Sequence, residues 1–163
     1  MLIRKADLQK DYEAVWEIFR EVIQSGDTYV FDPQTPKSDL KQHWFASYMH
    51  TYVLEDAQGF IQGTYILKPN QMDLGNHIAN ASYMIHPRAQ GQGMGKHLCT
   101  HSIDLAKQLG YMGMQFNIVI STNTAAVALW KKHGFEIIGT TPGGFRHQRL
   151  GMVDTYIMFK ALS

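Results

Sequence analysis

The run HPRAQGQGMGKHL, residues 86–98, limits the possible folds more than any other stretch of this 163-residue chain. It places glycines at positions 91, 93 and 95, between a strand-like segment, NASYMI, and a segment with helical periodicity. Glycine weakens regular structure, so this cluster indicates that the backbone adopts a special conformation or approaches another group closely. We therefore expect a strand, a glycine-rich turn and a helix in succession.

Strand and helix patterns alternate along the rest of the chain. The strand patterns are MLIRKA, TYVLED, GFIQGTYILKP, HIANASYMIH, MQFNIVI, FEIIGTTPGG and VDTYIMFKAL. The helix patterns are DLQKDYEAVWEIFREVIQSG, SDLKQHWFASYM, residues 95–109 and STNTAAVALWKKHGF. A loop rich in Gly and Arg is expected between the last two strands. The order β-α-α-β-β-β-α-β-α-β-β predicts one mixed α/β domain over residues 1–163.

Composition argues against several classes of protein. Fifteen Lys and Arg residues face 14 Asp and Glu residues, and no basic block stands out, so we expect no nucleic-acid partner. No apolar run approaches the ~20 residues of a membrane span, and the first residues lack the apolar core of a signal peptide. One cysteine, Cys99, rules out an internal disulfide and fits a reducing cytoplasm. His97 and His101 lack an evident third ligand, so we expect no metal.

The glycine-rich turn is suited to an anion. The start of a helix leaves backbone N–H groups without partners and carries a partial positive charge. Side chains at the three glycine positions would keep a phosphate away from these amides, so the turn predicts a pyrophosphate site. A tight connection that binds nothing is the alternative that the glycines alone leave open. The spacings of the Walker and dinucleotide motifs are both absent, which argues against a generic nucleotide-binding protein.

Two segments resemble the GNAT acetyltransferase superfamily. Gln90 to Gly95 fits the signature Q/R-x-x-G-x-G/A, and Asn123 to Phe135, NTAAVALWKKHGF, is similar to the later segment N-x-x-A-x-x-L-Y-x-k-x-GF. The resemblance covers essentially the whole chain. It implies a GNAT-like mixed sheet whose central parallel strands splay apart, acetyl-CoA as the co-substrate, and direct transfer of the acetyl group to an amine.

The resemblance also implies a set of cofactor-binding residues. The pantetheine arm would pair with the backbone of Met84, Ile85 and His86, while Asn123 and Trp130 would lie beside the reacting end. The Ile85 N–H is the expected oxyanion donor, and Asn123 completes the catalytic pair. The diphosphate would bind the turn formed by Gln90, Gly91, Gln92, Gly93, Met94, Gly95 and Lys96.

The sequence departs from the family pattern at the groups that move protons. Many relatives carry a glutamate on the strand HIANASYMI, and this strand has no carboxylate. We expect a water molecule to relay the amine proton, with His77 and His86 as alternatives. Trp130 stands where relatives offer a tyrosine to the leaving thiolate, and an indole cannot supply a proton as a phenol can. A tyrosine elsewhere (Tyr83, Tyr111 or Tyr156) is the alternative, as is a thiolate that leaves unassisted.

The segments SGDTYVFDP, GTYILKPN and NASYMIHP are most similar to acetyltransferases of small amino acids. This group includes enzymes of the azetidine-2-carboxylate and phosphinothricin types. The resemblance places Tyr29, Phe31, Asn80 and Asn117 around the acceptor. An N-acetyltransferase acting on an amino acid or analogue is the predicted function. Protein N-terminal acetylation and a non-catalytic acyl-CoA sensor are the alternatives, and similar folds suggest a homodimer.

Overall fold

The computed structural model describes residues 1–162. The predicted domain also includes Ser163, which lies outside the described residues. The strands are β1 (Leu2–Lys5), β2 (His50–Glu55), β3 (Ile61–Pro69), β4 (Ile78–Ile85), β5 (Gly113–Ile120), β6 (Glu136–His147) and β7 (Gly151–Ala161). The helices are α1 (Leu8–Gln24), α2 (Leu40–Trp44), α3 (Met94–Gln108) and α4 (Thr124–Lys132). The order of strands and helices matches the prediction.

The strands form one mixed sheet with the order β1-β2-β3-β4-β5-β7-β6. Every neighbouring pair is antiparallel except β4 and β5, which run parallel. The predicted α/β fold with a mixed sheet is therefore confirmed. Among residues 1–162, no helix is long and apolar enough to cross a membrane.

The two parallel strands part soon after they meet. Although β4 and β5 each contain eight residues, only Ile78↔Gly113 and Ala79↔Met114 are paired. Beyond that point β5 bends, because it carries an extra residue relative to β7 between Phe116 and Val119. Such a bulge disrupts the local ladder and re-aims the strand. The splayed parallel strands expected from the sequence are thus present.

Helices cover both faces of the sheet. On one face, α1 and α2 bury Phe19 and Trp44 against Ile66 and Met84 of the sheet. On the other face, α3 and α4 cover a core that includes Leu98 and the strand residues Tyr65, Ala81, Tyr83 and Phe116. Because side chains alternate along a strand, even-numbered residues of β3 and β4 face α1 and α2, and odd-numbered ones face α3 and α4. The two faces can therefore serve two different ligands.

The last two strands are longer than the sequence indicated. Instead of a long Gly- and Arg-rich loop, β6 continues to His147 and only residues 148–150 form the turn. Residue 144 lies within β6 and must be glycine, because a Cβ there would be 2.4 Å from Thr155 Oγ1. Pro142 is tolerated because β6 is an edge strand and carries a register shift at this point. Similarly, α2 is shorter than predicted and follows a 3₁₀ turn over residues 37–39.

An ion pair anchors α1 to the first strand. Arg4 Nη1 and Nη2 donate to the two carboxylate oxygens of Asp11 at 2.8 and 2.9 Å, and the Asp7 N–H donates to Asp11 Oδ2 at 2.6 Å. The Asp11 side chain is 4% exposed. The guanidinium of Arg4 holds the pKa of the Asp11 carboxyl below its usual range.

We expect Asp11→Asn to lower the free energy of unfolding at pH 7 by roughly 1–3 kcal/mol, since it breaks a largely buried charged network. The lowered pKa stabilises the folded state above pH ~4 and ceases to do so as the carboxyl protonates. Urea unfolding at pH 7 and pH 3 should therefore show a smaller difference between wild type and variant in acid. Glu13→Gln, which removes an exposed ion pair with Lys37, is the control. An equal difference at both pH values would contradict this account.

Candidate active site

The splay between β4 and β5 opens into a cleft of about 330 Å³. Residues 80–83 of β4 and 116–120 of β5 line its two edges, and the loop 28–31 also lines it. The remaining lining residues are Lys68 on β3 and Asn123, Ala126 and Trp130 at α4. Elements distant in sequence therefore meet at one site.

The four residues predicted around the acceptor, Tyr29, Phe31, Asn80 and Asn117, all line this cleft. Asn80 Nδ2 donates to the Gln115 carbonyl at 2.9 Å, just where the two strands part. Asn117 Nδ2 donates to Asn70 Oδ1 at 2.8 Å. Both amides are thus held in place by neighbours.

The backbone of β4 presents only alternate residues to the cleft. The His86 N–H donates to the Gln62 carbonyl at 2.8 Å and so points toward β3. In an antiparallel pair this direction alternates, so the Met84 N–H also points to β3, whereas those of Tyr83 and Ile85 point into the splay. Of the three residues predicted to pair with the pantetheine arm, Ile85 therefore offers its N–H to the cleft, and Tyr83 offers a second one.

The hydroxyl of Tyr29 contacts this same edge of β4. It donates to the Tyr83 carbonyl and accepts from the Tyr83 N–H at 3.0 Å. Burial raises the pKa of Tyr29 to about 12, so the hydroxyl keeps its proton at neutral pH. Tyr29 thus forms hydrogen bonds with backbone groups of Tyr83 that would otherwise pair with β5. A ligand that binds the Tyr83 N–H must share this donor with Tyr29 or displace the hydroxyl.

The glycine-rich turn lies at the start of α3. Gly91 and Gly93 have φ values of 79° and 77°, a left-handed conformation that favours glycine. A Cβ at either position would meet no atom within 4 Å, so the space in front of the turn is open. Met94 is buried and can offer only its backbone, and Lys96 is exposed. The amides at the start of α3 can therefore hold an anion, as the motif predicts.

Gly95 serves a different purpose. A Cβ there would lie 3.2 Å from Leu129 Cδ2 and 3.4 Å from Ile85 Cδ1. The missing side chain lets α3 pack closely against α4 and β4. This contact also brings the glycine-rich turn next to Ile85, at the end of the splayed β4 edge.

Asn123 and Trp130 lie on the opposite side of the cleft. Asn123 Oδ1 accepts from the Ala126 N–H at 3.3 Å and caps α4, which leaves its Nδ2 group for a ligand. The Trp130 ring lies 4.9 Å from the rings of both Tyr83 and Phe116. These aromatic side chains form the base of the splay.

The lining within residues 1–162 includes no Asp, Glu or His, and its ionisable side chains are Lys68, Tyr29 and Tyr83. His86 lies outside the lining, with Nε2 3.3 Å from Glu17 Oε1 and Nδ1 accepting from the Arg88 N–H. His77 is exposed, also outside the cleft. The Tyr83 hydroxyl is 2.6 Å from Ser102 Oγ on α3, and burial raises its pKa well above the usual value. Water is therefore the proton acceptor that fits this lining, because the Lys68 ammonium has no lone pair and burial keeps both tyrosines protonated.

The sequence did not indicate several lining residues, among them the polar side chains Thr28, Lys68 and Ser82. Lys68 lies directly opposite Asn80 in the β3–β4 register. The period-two pattern of polar residues in these strands was the available signal. Potential metal ligands do not gather in groups of three anywhere in residues 1–162.

The profile of the Acetyltransferase (GNAT) family matches residues 12–135. This match spans the glycine-rich turn, the splayed strands and α4. The chain belongs to the GNAT family. The predicted family, and the acetyltransferase class that goes with it, are confirmed.

Similar proteins agree with this assignment over different lengths. A GCN5-related N-acetyltransferase from Kribbella flavida is 36% identical, with a TM-score of 0.94 over 99% of this chain and 97% of that one. YwnH of Bacillus subtilis, a candidate phosphinothricin acetyltransferase, is 28% identical over 88% of each chain. The N-acetyltransferase aca1 of Schizosaccharomyces pombe is 30% identical over 58% of this chain, and the GNAT chain spans only 46% of aca1.

Neighbours of the same fold include structures solved with acetyl-CoA, one of them a phosphinothricin acetyltransferase. This phosphinothricin acetyltransferase from Sinorhizobium meliloti has a TM-score of 0.89 and 20% identity, and the match covers 99% of this GNAT chain and 88% of that protein.

If the glycine-rich turn binds acetyl-CoA, Gly93→Ala should raise its dissociation constant about tenfold or more, because a Cβ would strain the turn and enter the open space. Gly59→Ala is a matched control, since Gly59 also has a positive φ and open surroundings but lies in the turn between β2 and β3. Both variants should lose similar stability in urea unfolding. Calorimetric titration with acetyl-CoA should detect a loss of affinity only at Gly93, and equal losses would contradict the assignment.

Proposed function

We propose that this GNAT protein transfers the acetyl group of acetyl-CoA directly to the amine of a small molecule, an amino acid or a close analogue. The observation that carries the proposal is the continuous β4 edge. It runs from Ile85, beside the glycine-rich turn, to Asn80 at the start of the splay. A thioester held along this edge would meet an acceptor in the cleft beneath loop 28–31.

Acetyl-CoA supplies an activated carbonyl when bound. The amides from Gly91 to Lys96 would hold its diphosphate, and the Ile85 N–H would stabilise the oxyanion that develops as the amine attacks. The Tyr83 N–H, in the same splay, is a second possible donor once Tyr29 shares or releases it. Asn123 Nδ2 would orient the arm beside the thioester.

Proton transfers in this site need no protein acid. Trp130 cannot donate a proton to the leaving group, and a thiol has a pKa near ~8.5, so CoA can leave as the thiolate at neutral pH. The amine would lose its proton to water, because the described lining contains no carboxylate or histidine and the cationic Lys68 has no lone pair to accept a proton.

The size and chemistry of the cleft support a small acceptor. Its volume of about 330 Å³ is at the lower end of ligand pockets in general, which run from roughly 300 to 1,000 Å³. Phosphinothricin, the substrate named for two of the similar proteins, is an amino acid analogue. The aromatic loop 28–31 lines one side of the cleft, which favours a small acceptor over an extended peptide and hence over protein N-terminal acetylation. The cytoplasmic location and the homodimer expected from the sequence stay predictions.

The deciding experiment measures thiol release from acetyl-CoA across amino acids, azetidine-2-carboxylate, phosphinothricin, polyamines and short peptides. We expect saturable release with one group of amino acids, and its loss in Gly93→Trp. Release with peptides alone would favour N-terminal acetylation. Tight binding of acetyl-CoA with no release above the blank would favour the sensor and refute the proposed transfer.

The pH dependence of the reaction tests the water-mediated step. Between pH 6 and 9, kcat/KM should rise tenfold per pH unit and level off only at the pKa of the acceptor amine, since only the neutral amine attacks. Acceptors with different amine pKa values should shift the curve by the same amount. A fixed inflection near pH 6–7 for every acceptor would reveal an ionising group of the protein and contradict this mechanism.

A further inference from the structure

Lys68 is the only charged side chain in the lining of the cleft within residues 1–162. It is half-buried near the end of β3, directly opposite Asn80 on β4. Every other lining residue is apolar or carries a neutral hydroxyl or amide. The electrostatic character of the cleft is therefore positive and arises from one ammonium group.

Lys68 forms no ion pair with another described residue. All ion pairs found in residues 1–162 join other side chains. Asp73 borders an adjoining recess that Lys68 also lines, yet no contact within 4.0 Å joins the two charges. Partial burial of a charge without a partner is unfavourable, so an anion that binds beside the Lys68 ammonium would be attracted electrostatically.

Other polar groups surround Lys68 on the same face of the sheet. Lys68, Asn80 and Ser82 occupy even-numbered positions of β3 and β4, which face α1 and α2. The Nδ2 groups of Asn80 and Asn117 already donate to Gln115 and Asn70, respectively. Lys68 is thus the charged donor in this group that remains free to bind an anion, with the Ser82 hydroxyl as a neutral donor on the same face.

We propose that Lys68 binds the carboxylate of the acceptor and selects amino acids over amines that lack one. This inference rests on the proposed function and names the group that determines its specificity. The amine of an α-amino acid is only one carbon away from its carboxylate, so the carboxylate would lie between Asn80 and the reacting end at Tyr83, where the flexible lysine stem lets the ammonium extend. A second cation, as in a polyamine, would be repelled.

The test compares each accepted amino acid with its carboxamide, which keeps the amine and removes the negative charge. In Lys68→Met, KM for the amino acid should rise about tenfold or more, the equivalent of ~1.4 kcal/mol, with little change in kcat. Kinetics with the carboxamide and KM for acetyl-CoA should stay unchanged. Lys68→Arg should retain most of the wild-type KM. Lys107→Met, on the exposed last turn of α3, is the matched control.

A binding measurement separates this inference from the proposed function. Titrating the wild type and Lys68→Met with N-acetyl-azetidine-2-carboxylate and with its carboxamide requires no turnover. Preference for the carboxylate that disappears in Lys68→Met supports the inference even if no acetyl transfer is detected. Equal affinity of both proteins for the carboxylate, or an equal loss for carboxylate and carboxamide, overturns it.

Discussion

The β4–β5 ladder ends after two residue pairs, and the other features of the site follow from this early end. Two parallel strands that part leave N–H and C=O groups facing each other across a gap, and such groups need partners. Side chains provide some of them. Asn80 Nδ2 donates a hydrogen bond to the Gln115 carbonyl, and the Tyr29 hydroxyl forms hydrogen bonds with both the N–H and the carbonyl of Tyr83. The bulge in β5 keeps the strands apart. The cleft is therefore part of the sheet architecture, and the hydrogen bonds of Asn80 and Tyr29 satisfy backbone groups at its edges.

The two faces of the sheet contribute different groups to this gap. On the side of α3 and α4, glycines bring the helices close to β4 and leave amides available at the start of α3. On the side of α1 and α2, polar side chains at alternate strand positions face the loop 28–31. The aromatic rings of Trp130, Phe116 and Tyr83 pack together on the side of α3 and α4 and also line the cleft. An acyl donor and an acceptor can thus approach the same edge of β4 from different directions.

The presence of the Lys68 charge in the cleft is also a consequence of strand register. Lys68 is opposite Asn80 because β3 and β4 pair in one register, and a shift by one residue would turn Lys68 to the other face. The core fixes this register, since Tyr65 and Leu67 are buried on the side of α3 while Ile66 is buried on the side of α1. Packing of the core therefore also decides which charge the cleft presents.

Local patterns were sufficient to predict most of the fold. Hydrophobic periodicity gave the order of helices and strands, and Gly91 and Gly93 indicated a left-handed turn before α3, because only local sterics decide these features. The hairpin of β6 and β7 was misjudged for the opposite reason. The residues after Gly144 give no strand pattern and were expected to form a loop, and only the pairing of residues 145–147 with residues 151–153 extends both strands.

The sequence by itself determined the family motifs, the glycine-rich turn before α3, the absence of a carboxylate on β4 and the residues expected around the acceptor. Tertiary structure alone decided which backbone amides of β4 face the splay, that Tyr29 binds Tyr83, and that Lys68 enters the cleft. These features join residues that are far apart in the chain, 54 positions for Tyr29 and Tyr83. Their proximity depends on strand register and on the packing of loop 28–31, which no local pattern encodes.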